Sequence, residues 1–192
     1  MFRALLLHKT NNDVTPQIDT LDASDLPPGD THVRVLYSSI NYKDALAVTN
    51  RAPIIRGDFP IAPGIDLVGE VIASESDRWE AGDRVIGTGW GLGEATWGGF
   101  TEEVRVRADQ LVKLPEGLSP HQAMVIGTAG FTAMLSVMAL EDHGLTPESG
   151  DVVVTGASGG AGSMAVALLA QAGYTAVAST GSDDAHAYLN TL

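Results

Sequence analysis

The stretch DVVVTGASGGAGSMAVALLAQAGYTAVASTGSDD, residues 151–184, decides the fold. Residues 151–155 form a short apolar run of the kind found in strands covered on both faces of a parallel sheet. Gly156, Gly159, Gly160 and Gly162 follow at a spacing that permits a tight turn and lets backbone N–H groups approach a phosphate. The Ala-, Leu- and Met-rich residues 163–171 predict a helix that Gly173 ends. Residues 174–178 predict a second strand, and residues 183–192 the start of a second helix. Strand, glycine turn, helix, strand is the cradle in which a dinucleotide's pyrophosphate lies, although a glycine-rich turn can also be only a turn. Residues 114–192 contain no lysine or arginine. The positive end of a helix macrodipole meets that difficulty, because it holds an anion without a cationic side chain.

Upstream, Ser119-Pro120-His121-Gln122 predicts a helix start, with serine at the cap, proline at the first helical position and glutamine at the third. This helix is expected to reach about residue 141 with an interruption over residues 127–130, and Gly144 to end it. Before residue 115 the pattern is different. Short runs rich in Val, Ile and Leu at 3–8, 32–39, 67–73, 84–87 and 101–106 alternate with turn signals such as LPPGD and WEAGD. The expected fold class is therefore α/β, with a β-rich, barrel-like domain over residues 1–118. The start of a doubly wound parallel sheet is expected over residues 119–192. Such a sheet runs through about six strands, and here the pattern stops after two. The reading is of the first part of a longer protein, whose two strands lack neighbours and leave open edges.

Composition excludes several classes. The formal net charge is −13, which disfavours nucleic acid or an anionic membrane as partner, since both reward clustered Lys and Arg. There is no cysteine, so disulfides and thiolate metal sites are absent. The five histidines, His8, His32, His121, His143 and His186, lack ligand spacing and read as surface or helix-end residues. Residues 123–140 carry no charge, but their Gly, Thr and Ser content and the lack of basic flanks point to a core helix. The N-terminal apolar run is too short for a signal peptide. A cytoplasmic protein is expected.

The blocks SSINYKDALAV (38–48), PGIDLVGEV (63–71), GDRVIGTGWGLGEATWGGFTEEVRV (82–106), IGTAGFTAMLSVMALE (126–141) and VVVTGASGGAGSMAVALLA (152–170) carry a resemblance. Together they resemble the zinc-independent branch of the medium-chain dehydrogenase/reductase superfamily, and within it the NADPH-dependent acrylyl-CoA reductases and quinone oxidoreductases. The resemblance implies a GroES-like N-terminal domain followed by a Rossmann domain. It implies NADPH as cofactor, NADH remaining open, and an enoyl-CoA such as acrylyl-CoA as substrate. A quinone or enone substrate, or a truncated non-catalytic remnant, are the alternatives. A homodimer is expected of the full-length protein. Zinc-bearing relatives have Gly-His-Glu where this chain has Gly64-Ile65-Asp66, and isoleucine has no ligating atom. No metal is therefore expected.

Carried over by resemblance, Tyr42 lies beside the nicotinamide, its alternative being a tyrosine of the β-domain core. Thr128 faces the cofactor from a helix end, or packs on the sheet. Ser158, Gly159, Gly160 and Ala161 match the pyrophosphate turn, and Thr180, Gly181 and Ser182 the loop around the adenosine ribose. Here the chain departs from the family, which usually has arginine at the position of Ser182 to grip the 2′-phosphate of NADPH. Lys43, Arg51 and Arg56 suggest a positive patch for CoA phosphates, or simply solvated charges. Trp90 and Trp97 either wall the substrate pocket or pack their loop. No residue is assigned as catalytic.

Overall fold

A computed structural model of the chain describes every residue except Asn12. Two compact units divide it, Met1–Gly127 and Thr128–Leu192.

The first unit is the β-rich one. Strands β1 (Phe2–Thr10) and β2 (Asp13–Leu21) form an antiparallel hairpin paired from Phe2↔Leu21 to Thr10↔Asp13. Five further strands make an antiparallel sheet in the order β6-β3-β4-β5-β7. They are β3 (Thr31–Tyr37), β4 (Asp66–Ser74), β5 (Arg84–Thr88), β6 (Glu103–Val106) and β7 (Leu111–Lys113). Alternation of side chains along each strand delivers Leu7, Val33, Leu67, Val85, Val104 and Leu111 to one core. The burial of that apolar surface is what drives this unit together.

Three of its elements lie outside the sequence expectation. Strand β2 is mostly exposed and contains Pro16, so it shows little apolar alternation; pairing along the whole of β1 holds it, and an edge strand tolerates proline. Strand β7 is three residues long, too short for a periodic signal. Helix α1 (Tyr42–Val48) occupies what reads as a loop after NYKD. Asn41 is its N-cap, and Asp44 at the third helical position accepts the Asn41 backbone N–H at 2.8 Å. That is one half of a capping box.

Helix α2 (Pro120–Asp142) begins as expected. The Ser119 N–H donates to Gln122 Oε1 at 2.9 Å, and the Gln122 N–H donates to Ser119 Oγ at 3.2 Å. The helix breaks at Gly127, whose φ of 47° and ψ of −159° are not helical. The units divide at this break, whereas the sequence expectation puts the domain boundary at 118/119. By length and apolar composition α2 resembles a membrane span. Its first part instead buries Ala123 and Met124 against Val68 and Leu114, and its second part buries Val137 against Leu169 and Tyr174. The break leaves neither part near the roughly 20 residues a span needs.

The second unit holds β8 (Val152–Thr155), α3 (Gly160–Gln171), β9 (Ala176–Ser179) and α4 (His186–Leu189). Strands β8 and β9 are parallel and paired from Val152↔Ala176 to Thr155↔Ser179. Four details correct the sequence reading. Helix α3 starts at Gly160 rather than residue 163, because glycines at the first turn of a helix escape the cost they carry in its middle. Strand β9 starts at Ala176; Tyr174, expected in the strand, is buried with its hydroxyl 3.0 Å from Glu141 Oε1. The last expected helix is a 3₁₀ turn, Asp183–Ala185, followed by the single turn α4. Finally, the strands are not covered on both faces: Val153 is 62% exposed and its register partner Val177 41%.

Candidate functional site

The residues expected to hold a nucleotide fall in both units, and each half is built locally. In the second unit, the chain leaves β8 at Gly156, which has a φ of 60°. Ala157 turns inward, fully buried, and its N–H donates to Ser179 O at 3.0 Å, tying the turn to the end of β9. The Gly159 N–H closes the turn on Gly156 O at 3.0 Å. Gly159 then caps α3 in an extended conformation, with no side-chain hydrogen bond to the helix end. The Ser163 N–H donates to Gly159 O at 2.8 Å. The N–H groups of Gly160, Ala161 and Gly162 precede that first helical bond and meet no acceptor among the described residues. Gly162 is required by close approach, since a Cβ there would sit 2.2 Å from Gly156 O. Gly160 and Ala161 are exposed, so bulky atoms do not cover the donors.

The loop after β9 joins this turn. Ser158 Oγ lies 3.0 Å from Thr180 Oγ1, and the Ser182 N–H donates to Thr180 Oγ1 at 3.2 Å. Six of the expected residues, Ser158, Gly159, Gly160, Ala161, Thr180 and Ser182, are thereby brought together at the carboxyl ends of two parallel strands, with Gly181 between the last two. Ligands bind at such strand ends in open α/β sheets. Three aligned N–H donors at a twelve-residue helix start, with no carboxylate in the turn, fit a pyrophosphate.

In the first unit, Tyr42 opens α1 and is 82% exposed. It is not a core tyrosine. Behind it lies a polar network that sequence reasoning missed. Asp66, fully buried at the start of β4, accepts from Ser39 Oγ and, at 2.9 Å, from Asn41 Nδ2. Ser38 Oγ donates to the Asp66 carbonyl at 2.7 Å. Gly127 closes over this carboxylate: a Cβ at Gly127 would lie 2.9 Å from Asp66 Oδ2. Asp44, also buried, accepts from the N–H groups of Asn41 at 2.8 Å and Ile65 at 3.1 Å. Burial pushes its carboxyl above the usual range, against the pull of those N–H bonds. The signal that could have found this network is asparagine followed three residues later by aspartate, a cap pattern before a helix too short to show periodicity. Thr128 is the first residue of the second unit, directly after the Gly127 break.

Other expectations resolve into structure. Lys43 is on α1, and its Nζ lies 2.6 Å from Glu94 Oε1, while Arg56 pairs with the other oxygen of Glu94. One nearly buried carboxylate thus serves two of the three cations, which corrects the idea of an open positive patch. Trp97 is buried and its Nε1 donates to Pro60 O at 3.2 Å, so it packs the loop; Trp90 is 67% exposed. His8 pairs with Asp19 and His32 with Glu103, at 2.7 and 2.8 Å, and His121 stacks edge-on against Tyr37. His8 and His32 are thus paired strand residues rather than helix-end ones. Among the described residues no three His, Asp or Glu side chains cluster as metal ligands.

Residues 27–116 match the alcohol dehydrogenase GroES-like domain family. Over 190 residues the chain is 55% identical to a protein of Escherichia coli named a probable acrylyl-CoA reductase, AcuI, covering 99% of this chain and 58% of that protein. The crystal structure of the yhdH oxidoreductase of Salmonella enterica with NADP superimposes with a TM-score of 0.95 at 54% identity, covering 98% of this chain and 58% of that one. The chain is similar to the N-terminal part of these medium-chain dehydrogenase/reductase proteins. A Bacillus subtilis protein, YhfP, named as a quinone oxidoreductase, is 47% identical over 192 residues, 100% of this chain and 58% of that protein. Its structure with NAD bound gives a TM-score of 0.95, covering 99% and 57% of the two chains. The chain matches the N-terminal part of these relatives, the GroES-like domain and the start of the Rossmann sheet, and spans 58% of their length.

Proposed function

We propose that this chain carries the pyrophosphate turn and the GroES-like unit of a cytoplasmic, zinc-independent reductase acting on the carbon–carbon double bond of an enoyl-CoA such as acrylyl-CoA. The observation that carries this reading is the exposed start of α3, where Gly160, Ala161 and Gly162 present three N–H donors without acceptors. Those donors hold the pyrophosphate, the Ser158, Thr180, Gly181 and Ser182 loop borders the adenosine ribose, and Tyr42 and Thr128 lie on the nicotinamide side. When bound, NADPH supplies a hydride for the β-carbon of the thioester, NADH being also admitted. Exposure of Tyr42 supports its role as a cofactor contact rather than as packing; no residue is assigned the proton delivered to the α-carbon. The negative charge that develops on the thioester oxygen requires hydrogen-bond donors, and the paired state of Lys43 and Arg56 means that neither is a free cation for it.

Titration of the 192-residue chain with NADPH, followed by nicotinamide fluorescence, tests the reading. A saturable signal is expected, and its absence would favour a non-binding remnant. A second reading, reduction of quinones or enones on the same scaffold, draws on the name of the Bacillus relative. Turnover of acrylyl-CoA against a quinone panel separates the two. The full-length protein is expected to be a homodimer with no nucleic-acid or membrane partner.

A further inference from the structure

Similar proteins have been crystallised with NADP and with NAD, so the likeness leaves the adenosine end of the cofactor open. The loop that follows β9 carries the information. We propose that this chain binds NADH at least as tightly as NADPH, because its ribose loop is built for a free 2′-hydroxyl; the inference rests on the nucleotide reading of the α3 turn.

Ser158 Oγ, Thr180 Oγ1 and the Ser182 N–H form a connected set, with the Ser182 N–H already donating to Thr180 Oγ1 at 3.2 Å and the two hydroxyls 3.0 Å apart. A hydroxyl both donates and accepts, so this set pairs with a ribose diol whichever way its protons point. A phosphate dianion accepts only, so it uses just the donors of this set, and the Ser182 N–H among them is already engaged by Thr180 Oγ1. Charge then decides the sign. Residues 128–192 contain no lysine or arginine, so the second unit has no permanent cation for a 2′-phosphate. Ser182 instead caps the 3₁₀ turn that places Asp183 and Asp184 directly after it, both exposed. Two carboxylates beside the site repel an added dianion, and the repulsion is of the exposed kind that salt screens. The helix dipole does not rescue it, because its field is confined to the first turn of α3, where the pyrophosphate is held.

The test is a pair of fluorescence titrations of the 192-residue chain with NADH and NADPH, at low and at high ionic strength. A Kd for NADH equal to or below that for NADPH at low salt, with the two converging as salt rises, is the expected result. Ser182→Arg, a surface change whose folding is checked by circular dichroism, should tighten NADPH relative to NADH by about tenfold through a charge-assisted contact. Tighter binding of NADPH by the unaltered chain would overturn the proposal while leaving the nucleotide reading intact. Saturation by neither nucleotide would overturn both.

Discussion

At the residue scale, Asp44 links sequence to site most directly. Its two carboxylate oxygens accept the N–H that starts α1 and the N–H of Ile65 just before β4, so a single side chain fixes the helix that presents Tyr42. Asp44→Ala leaves two N–H groups without their acceptor, one of them buried, and should cost about 1–3 kcal/mol in urea unfolding. The pH dependence has a definite sign. The folded carboxyl titrates above its unfolded value because burial disfavours the charge, so the folded state binds more protons in that window and this group's contribution weakens as pH rises. The loss caused by Asp44→Ala is therefore expected to be larger in mild acid than at neutral pH. An equal loss at both would mean that the carboxyl titrates alike in the folded and unfolded chain. The salt bridges Arg3–Glu102 and Arg107–Asp109 hold Glu102 and Asp109 below their usual range. They act in the opposite sense, losing their support as pH falls, but they are exposed and present in both proteins, so they cancel in the comparison.

At the element scale, α3 gives the sharpest test of the pyrophosphate turn. Gly160 is the first residue of the helix, where a missing N–H costs the fold nothing, and Gly159 before it has a φ of −79° and ψ of 169°. Proline accepts that environment on both counts. A Cβ at Gly160 would meet only Ala129 Cβ at 3.4 Å, an ordinary contact. Gly160→Pro should therefore fold like the parent yet bind nucleotide about tenfold more weakly, having lost one charge-assisted donor. Undiminished binding by a folded variant would remove the turn from the site. The same element shows what sequence pattern can and cannot reveal. The order strand, glycine turn, helix, strand is legible because glycine spacing and apolar runs are local. The break in α2 is legible too, since Gly127 and Gly130 interrupt a helical period. Strand β2 and the Asp66 network are not legible. One is held by pairing with β1, and the other gathers Ser39, Asn41 and Asp66 from separate segments. Lys43 and Arg56 read as a cationic cluster because Glu94, which neutralises them, lies 38 residues or more away in sequence.

At the scale of the whole molecule the two units differ in how completely each is enclosed. The first surrounds Leu7, Val33, Leu67, Val85, Leu92 and Val104 so that each is shut off from water, and its five-stranded sheet satisfies most strands on both edges. The second has a two-stranded sheet with Val153 and Val177 exposed, and α2 turns Phe131, Met134, Leu135 and Met138 to solvent. Exposed apolar surface withholds the stabilisation that burial would give, and a two-stranded sheet has an open edge on each side. The second unit is accordingly expected to open at lower free energy than the first. In native-state hydrogen exchange, amides of β3, β4 and β5 should be protected to the level of global unfolding, whereas those of β8 and β9 should exchange through local opening. Saturating nucleotide should slow the second group and leave the first unchanged, because a ligand held at the start of α3 stabilises the unit that contains it. A single sharp melt, with β8 and β9 as well protected as β4, would mean that the small parallel sheet is stabilised by something other than the contacts described, and would refute the ranking of the two units.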